Sequence, residues 1–190
     1  MKTAYLDIET NYTGKFPEGD QRLFKDFANH RLTVLGIRVM AEGVDQVIQL
    51  VGDEITREKL LELLNGVGML VTYNGRSVPD TVKGYIGFDF PVISAQLGVT
   101  LDRMFKHRDL APLCWKHGLY GGLKKVEASL GIKRQLPGKD GKWATEVWRR
   151  YQKDKDKSCL VELLAYNRED VEMLFQVEQA LEGRTKRQGA

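Results

Sequence analysis

At 190 residues, with 42% hydrophobic and 29% charged side chains, the chain is long enough for one domain with a sizeable core and short for two. Those fractions describe a soluble globular protein; no apolar run is as long as a membrane span, and acids interrupt the first apolar run where a signal peptide would carry its hydrophobic segment. The formal net charge is +3, but between Lys116 and Lys157 twelve basic residues face five acids, which gives that segment +7 and leaves −4 elsewhere. Such a split suits an enzyme acting on a polyanion, and it also describes ordinary solvated helix faces.

Residues 3–9 read as a strand, in which alternation turns Asp7 and Glu9 to one side and Leu6 and Ile8 to the other. Residues 11–20 are a polar loop with Gly14, Pro17 and Gly19, and Gln21 to Asn29 is a short helix or irregular. Leu32–Met40 and Val44–Val51 are β-rich runs joined across Ala41-Glu42-Gly43, a hairpin connection. Asp53 occupies an N-cap position before an amphipathic helix that ends near Gly66. Val67–Tyr73 is a fourth strand, and the polar stretch Arg76 to Gly87 an extended loop. Phe88-Asp89-Phe90-Pro91 opens a helix; the proline should push Phe90 out of the α region and leave Asp89 just before the helix start. Phe105–Leu110 is the fifth strand. Beyond it come a short helix to Gly118, a helix from Gly122 through Leu130, a basic loop over 131–141 and a helix from Trp143 to Gln152. A long last helix runs from Lys157 to Leu181.

Three strands in a meander, then strands alternating with helices, make an α/β domain: a mixed five-stranded sheet, three antiparallel strands followed by two parallel ones, flanked by helices. The expected domain is 1–182, with a disordered basic tail over 183–190. The layout is compatible with a ribonuclease H-like fold. Cys114 and Cys159 are far apart and form no CxxC pair, as in reduced thiols of a cytoplasmic protein, and His30, His107 and His117 lack zinc-ligand spacing.

Two acids as close as Asp7 and Glu9 repel each other unless a cation lies between them, and hard divalent ions take oxygen ligands of this kind. Asp89 stands at a helix start. In the last helix Tyr166 and Asp170 are one turn apart on a face that also carries apolar residues. Four acids on three elements can therefore converge.

The order of these pieces resembles the three motifs of the DEDDy 3′–5′ exonucleases: Asp7-Ile8-Glu9, Asn74 with Phe88-Asp89, and Tyr166-Asn167-Arg168-Glu169-Asp170. Tyr73-Asn74-Gly75, Phe88-Asp89-Phe90-Pro91, Asp109-Leu110, Gly122-Leu123-Lys124-Lys125-Val126-Glu127 and Leu130-Gly131-Ile132 are similar, more narrowly, to the stand-alone YprB-type predicted exonucleases. The chain departs from that family where Arg76 to Gly87 intervenes between Asn74 and Phe88. Asp80, inside the insertion, is an alternative second acid, but it lacks the aromatic before it and the apolar helix after it.

The resemblance implies phosphodiester hydrolysis with two ions, Mg²⁺ or Mn²⁺, held by Asp7, Glu9, Asp89 and Asp170, and a water oriented by Tyr166. Thr10 and Asn74 are the implied contacts to the terminal nucleotide. Lys124, Lys125, Lys133 and Arg134 are candidates for the phosphate backbone, and Tyr12, Phe16, Tyr120, Trp143 and Trp148 for base stacking, with core packing favoured for the tryptophans. Single-stranded 3′ ends of DNA or RNA suit a narrow site with stacking aromatics. Two alternatives stay open: a ribonuclease H or resolvase-like endonuclease, and a catalytically silent nucleic-acid-binding module.

Overall fold

Strand β1 (Lys2–Tyr12) lies at the centre of a five-stranded sheet in the computed structural model, which describes residues 1–15, 25–76 and 87–188. Its neighbours are β2 (His30–Ala41), antiparallel, and β4 (Val67–Thr72), parallel. β3 (Val44–Val51) pairs antiparallel with β2 and β5 (Lys106–Asp109) parallel with β4, giving the order β3-β2-β1-β4-β5. The expected mixed sheet of three antiparallel and two parallel strands is the one observed.

The alternation along β1 divides the molecule into two layers. Leu6 and Ile8 enter a core with Leu35, Ile37, Leu70, Phe90 and Val92, roofed by α1 (Arg57–Leu63), α2 (Asp89–Leu97) and α3 (Leu101–Met104). Tyr5, on the opposite face, packs with Val71, Leu110, Val126, Val171 and Leu174, and so with α4 (Leu110–Lys116), α5 (Leu123–Leu130) and α7 (Lys157–Gln188). A third cluster, Val34 with Val147, Trp148, Leu163 and Tyr166, fastens α6 (Gly141–Asp154) to α7 and β2. Burying a Leu or Ile completely contributes about 1.5–3 kcal/mol, so the two layers hold β1 firmly from both sides. The acids that share the face of Tyr5 therefore sit on the central strand, which is packed on both faces.

Several boundaries differ from the expectation: β1 runs on through Tyr12 into the stretch read as a loop, and Leu110 opens α4 instead of ending β5. The helix after β3 is capped by Thr56, whose side chain accepts from the Lys59 N–H, while Asp53 belongs to a 3₁₀ turn, Gly52–Glu54. Phe90 is helical and Asp89 is the first residue of α2: the bias of a residue before proline gave way to the burial of Phe90 under the sheet. The short α3 has no periodic signal in its four residues. α7 continues past Gly183 to Gln188, beyond the expected end at Leu181, because the glycine is a single interruption with Leu181 still buried beside it. A 3₁₀ turn at Phe27–Asn29 falls within the stretch read as a short helix or irregular, while Phe16, the loop 16–24 and Asp80 lie outside the described residues. No helix among the described residues is long and apolar enough to cross a membrane.

Candidate active site

Asp7 and Glu9 project from β1 toward α7, and the strand is irregular just beyond them. The β1–β2 register shifts between Glu9 and Thr10, so that Glu9 faces Val34 and Thr10 faces Leu32. A bulge of this kind bends the strand and re-aims the side chains beyond it. Thr10 carries its hydroxyl to His30 Nδ1, 3.1 Å away, and is absent from the residues lining the acid pocket. The expected contact of Thr10 with a terminal sugar thus competes with an existing partner.

The insertion is closed at its base. The Phe88 N–H donates to the Asn74 carbonyl at 2.8 Å, and the Phe90 N–H to that of Gly75 at 2.8 Å. Asp109, at the end of β5, accepts from the Asn74 N–H (2.8 Å) and the Arg76 N–H (3.1 Å) and also caps α4 through Ala111. Asn74 sits at φ 63°, a left-handed conformation that asparagine tolerates better than most residues. Asn74 and Asp89 consequently line one pocket with Asp7, Glu9, Tyr166 and Asp170. The intervening residues displace neither of them.

Single carboxylate oxygens of Asp7, Glu9 and Asp170 lie within 4.8 Å of one another. Glu9, Asp89 and Asp170 are buried. Burial, then the charge of Asp170, holds Asp7 well above the ordinary carboxylate range; burial, then Asp7, does the same to Glu9 and to Asp89. An all-oxygen donor set that repels itself fits a hard divalent cation. Asp170 Oδ1 is buried and accepts no hydrogen bond of good geometry among the described residues, meeting only the charges of nearby cations. The residues present therefore suit a divalent cation, with three acids close enough to share one and Asp89 lining the same pocket.

Cations from outside the three motifs do reach these acids. Lys124, from α5, donates from Nζ to the Tyr166 hydroxyl at 2.7 Å, lies 4.6 Å from the centre of its ring and stands 3.5 Å from Asp170 Oδ1. Arg134, from the loop after α5, places NH2 2.5 Å from Asp170 Oδ1 and binds Glu127 through Nε and NH2. Its NH1 is 3.7 Å from Glu169, which in turn accepts the backbone N–H groups of Gln135 and Leu136. The Arg134 side chain is only 8% exposed. Burial opposes its charge, but the bond to Glu127 and the charge of Asp170 outweigh it and raise the guanidinium pKa. Arg134 is thus an internal brace for Asp170, turned away from any backbone outside.

The four basic residues expected on a substrate path separate accordingly. Lys125 and Lys133 are exposed, Lys124 is turned into the pocket and Arg134 is buried. Among the aromatics, Trp148 is core, Trp143 packs its ring 5.4 Å from that of Tyr166, and Tyr12 donates to Asp26. Tyr120 is 65% exposed beside the pocket-lining Gly121 and Gly122. The three histidines have hydroxyl partners: His30 with Thr10, His107 with Thr72 and His117 with Thr185.

Asn167 is visible in the sequence only as part of the Tyr166-Asn167 pair, without a role. It is fully buried and donates from Nδ2 to Asp7 Oδ2 at 3.0 Å. No periodicity marks such a residue, since a buried polar group on an apolar face reads as an ordinary interruption. A profile of the RNase H superfamily matches residues 4–182 of this chain. No curated protein matches it.

Proposed function

The chain belongs to the RNase H superfamily, and from that premise we propose that it is a metal-dependent 3′–5′ exonuclease of the DEDDy type, similar to the YprB-type family and acting on single-stranded 3′ ends. Membership points to a nuclease and to a nucleic-acid substrate. The observation that carries the finer reading is Tyr166, which stands one helical turn before Asp170 and lines the same pocket as Asp7, Glu9 and Asp89. A phenol at that spacing is the feature that separates an exonuclease of this type from the endonucleases that share its fold and acids.

In this reading Asp7, Glu9 and Asp170 would hold the ions, and Asp89, which lines the same pocket, would complete the set. Bound divalent ions supply Lewis-acid activation of water and offset the charge that builds on the leaving 3′ oxygen. The protein's own residues do the rest. Tyr166 is buried, and burial together with the neighbouring Asp170, Glu9 and Asp7 raises its pKa, so the phenol keeps its proton and orients water instead of accepting a proton from it. Lys124 donates to the phenol oxygen, which leaves the Tyr166 O–H to point away from Lys124. Asn74 faces the space where a terminal nucleotide enters, and the exposed Lys125 and Lys133 meet the trailing phosphates.

The test is digestion of end-labelled linear and circular single strands in Mg²⁺ and Mn²⁺, by the wild type and by Tyr166→Phe. Mononucleotides released from linear 3′ ends, with circles intact, are expected. Cutting of the circle returns the protein to the endonuclease reading, and binding without cleavage under all metal conditions returns it to the silent module.

A further inference from the structure

Three residues lie in one row across the sheet. Asp7 on β1 is the ladder partner of Gly36 on β2, and Gly36 is the partner of Gln49 on β3. Cross-strand partners share a face, so the glycine leaves a gap between the Asp7 and Gln49 side chains. Asn167, from α7, fills it. A Cβ at position 36 would lie 2.2 Å from Asn167 Oδ1 and 2.8 Å from Val171 Cγ2, closer than atoms can approach, so only glycine admits the amide here.

Hydrogen-bond chemistry dictates how this amide must point. The Leu164 carbonyl can only accept, and Gln49 Nε2 donates to it at 2.9 Å. The same Nε2 lies 2.9 Å from Asn167 Oδ1, which therefore must be the acceptor end of Asn167. Its Nδ2 is then left facing Asp7, 3.0 Å from Oδ2 and 3.5 Å from the main-chain carbonyl. A main-chain carbonyl of α7, which cannot flip, thus sets Gln49, Gln49 sets Asn167, and Asn167 offers Asp7 a donor in one fixed direction. Partners of this kind hold a ligand side chain in its binding rotamer.

We propose that Gln49 and Asn167, seated in the slot that Gly36 leaves, are positioning residues that fix the Asp7 carboxylate for metal binding. The inference rests on the reading of Asp7 as a metal ligand. Gln49→Glu tests it at the residue farthest from the acids. A carboxylate cannot donate, so the Asn167 amide must turn its oxygen toward Asp7, acceptor against acceptor. The substitution adds a negative charge, which by Coulomb attraction alone would tighten cation binding; a weakening therefore has to come from the relay.

Mn²⁺ binding is measured by calorimetry on the intact chain, alongside melting of the metal-free protein. Gln49→Glu should weaken Mn²⁺ binding by roughly 10–100-fold, and Gln49→Met, which removes the donor without a charge, by less. Gln46→Glu, exposed on the same strand, should bind as well as the wild type. Should Gln49→Glu not fold, Gln49→Met carries the test, with at least about a threefold loss expected. If the variants that fold bind Mn²⁺ within threefold of the wild type, the relay is wrong even though the site stands. If the wild type binds no Mn²⁺, or Asp7→Asn binds it equally well, the metal-site reading has failed, and the relay with it.

Discussion

β1 and α7 meet twice, and both times they bury a tyrosine against a carboxylate and a cation. Toward the start of β1, Tyr5 donates to Glu178 Oε2 at 2.5 Å and Arg108 pairs with Glu178 Oε1, with Glu182 3.6 Å beyond. Two residues further along the same face, Asp7 and then Glu9 meet Tyr166, Asp170, Lys124 and Arg134. The first cluster is matched: the buried carboxylate has both a phenol donor and a guanidinium. The second is not. Around Lys124 and Arg134 stand six carboxylates, those of Asp7, Glu9, Asp89, Glu127, Glu169 and Asp170. Tyrosine, carboxylate and cation meet on the same two elements both times, giving a brace where the buried carboxylate is fully paired and a cation-seeking pocket where the acids outnumber their partners.

The largest effect should come from removing the ligand acids. Asp7→Asn or Asp170→Asn, or excess chelator on the wild type, should lower cleavage by roughly 10³-fold or more, because the ions supply several kcal/mol of transition-state stabilisation. Glu178→Gln in the matched cluster should leave turnover unchanged. Full activity in chelator, or in Asp7→Asn, would erase the distinction between the clusters.

Next is the pair of tyrosines. Tyr166→Phe should reduce turnover on the order of 10²-fold with little change in metal affinity, since an orienting hydroxyl acts mainly in the transition state. Tyr5→Phe, an identical change in the matched cluster, should cost about 1 kcal/mol of stability and no activity. Steady-state rates and denaturant midpoints of the two variants, measured side by side, test this; equal turnover for both would make Tyr166 a packing residue.

Stability should respond to pH in opposite senses with and without metal. In the metal-free fold Asp7, Glu9 and Asp89 are raised, so the folded state keeps protons that the unfolded chain has released. Their contribution is greatest in acid and is lost as pH rises from the ordinary carboxylate range toward the raised values. Asp7→Asn should therefore raise the metal-free melting temperature by a few degrees, for about 1 kcal/mol, more at pH 8 than at pH 5, and Mn²⁺ should abolish that advantage. A melting difference independent of pH would mean the acids do not repel one another in the fold.

The smallest effect concerns the exposed lysines outside both clusters. Charge reversal at Lys125 and Lys133 should flatten the dependence of binding on salt by about 0.7 in log–log slope for each phosphate they no longer neutralise on a single strand. An unchanged slope would make them ordinary solvated lysines.

Much of the fold and part of the site could be read before any coordinates. The hairpin ends Val44 and Val51, the five strands and the pairing of Asp7 with Glu9 on one face all come from alternation, which acts over two or three neighbouring residues. Tyr166 and Asp170 come from helical spacing in the same way. What alternation cannot carry is which distant side chain meets which. Lys124 and Tyr166 are 42 residues apart, Gln49 and Asn167 118, and Asn167 and Asp7 160. Lys124, Lys125, Lys133 and Arg134 form one basic patch in the sequence, and only packing turns Lys124 inward, buries Arg134 and leaves the other two in solvent. Local periodicity is set by backbone geometry and is written residue by residue. The balance of buried charge depends on which elements the core brings together, and that is decided only when α5 and α7 close over β1.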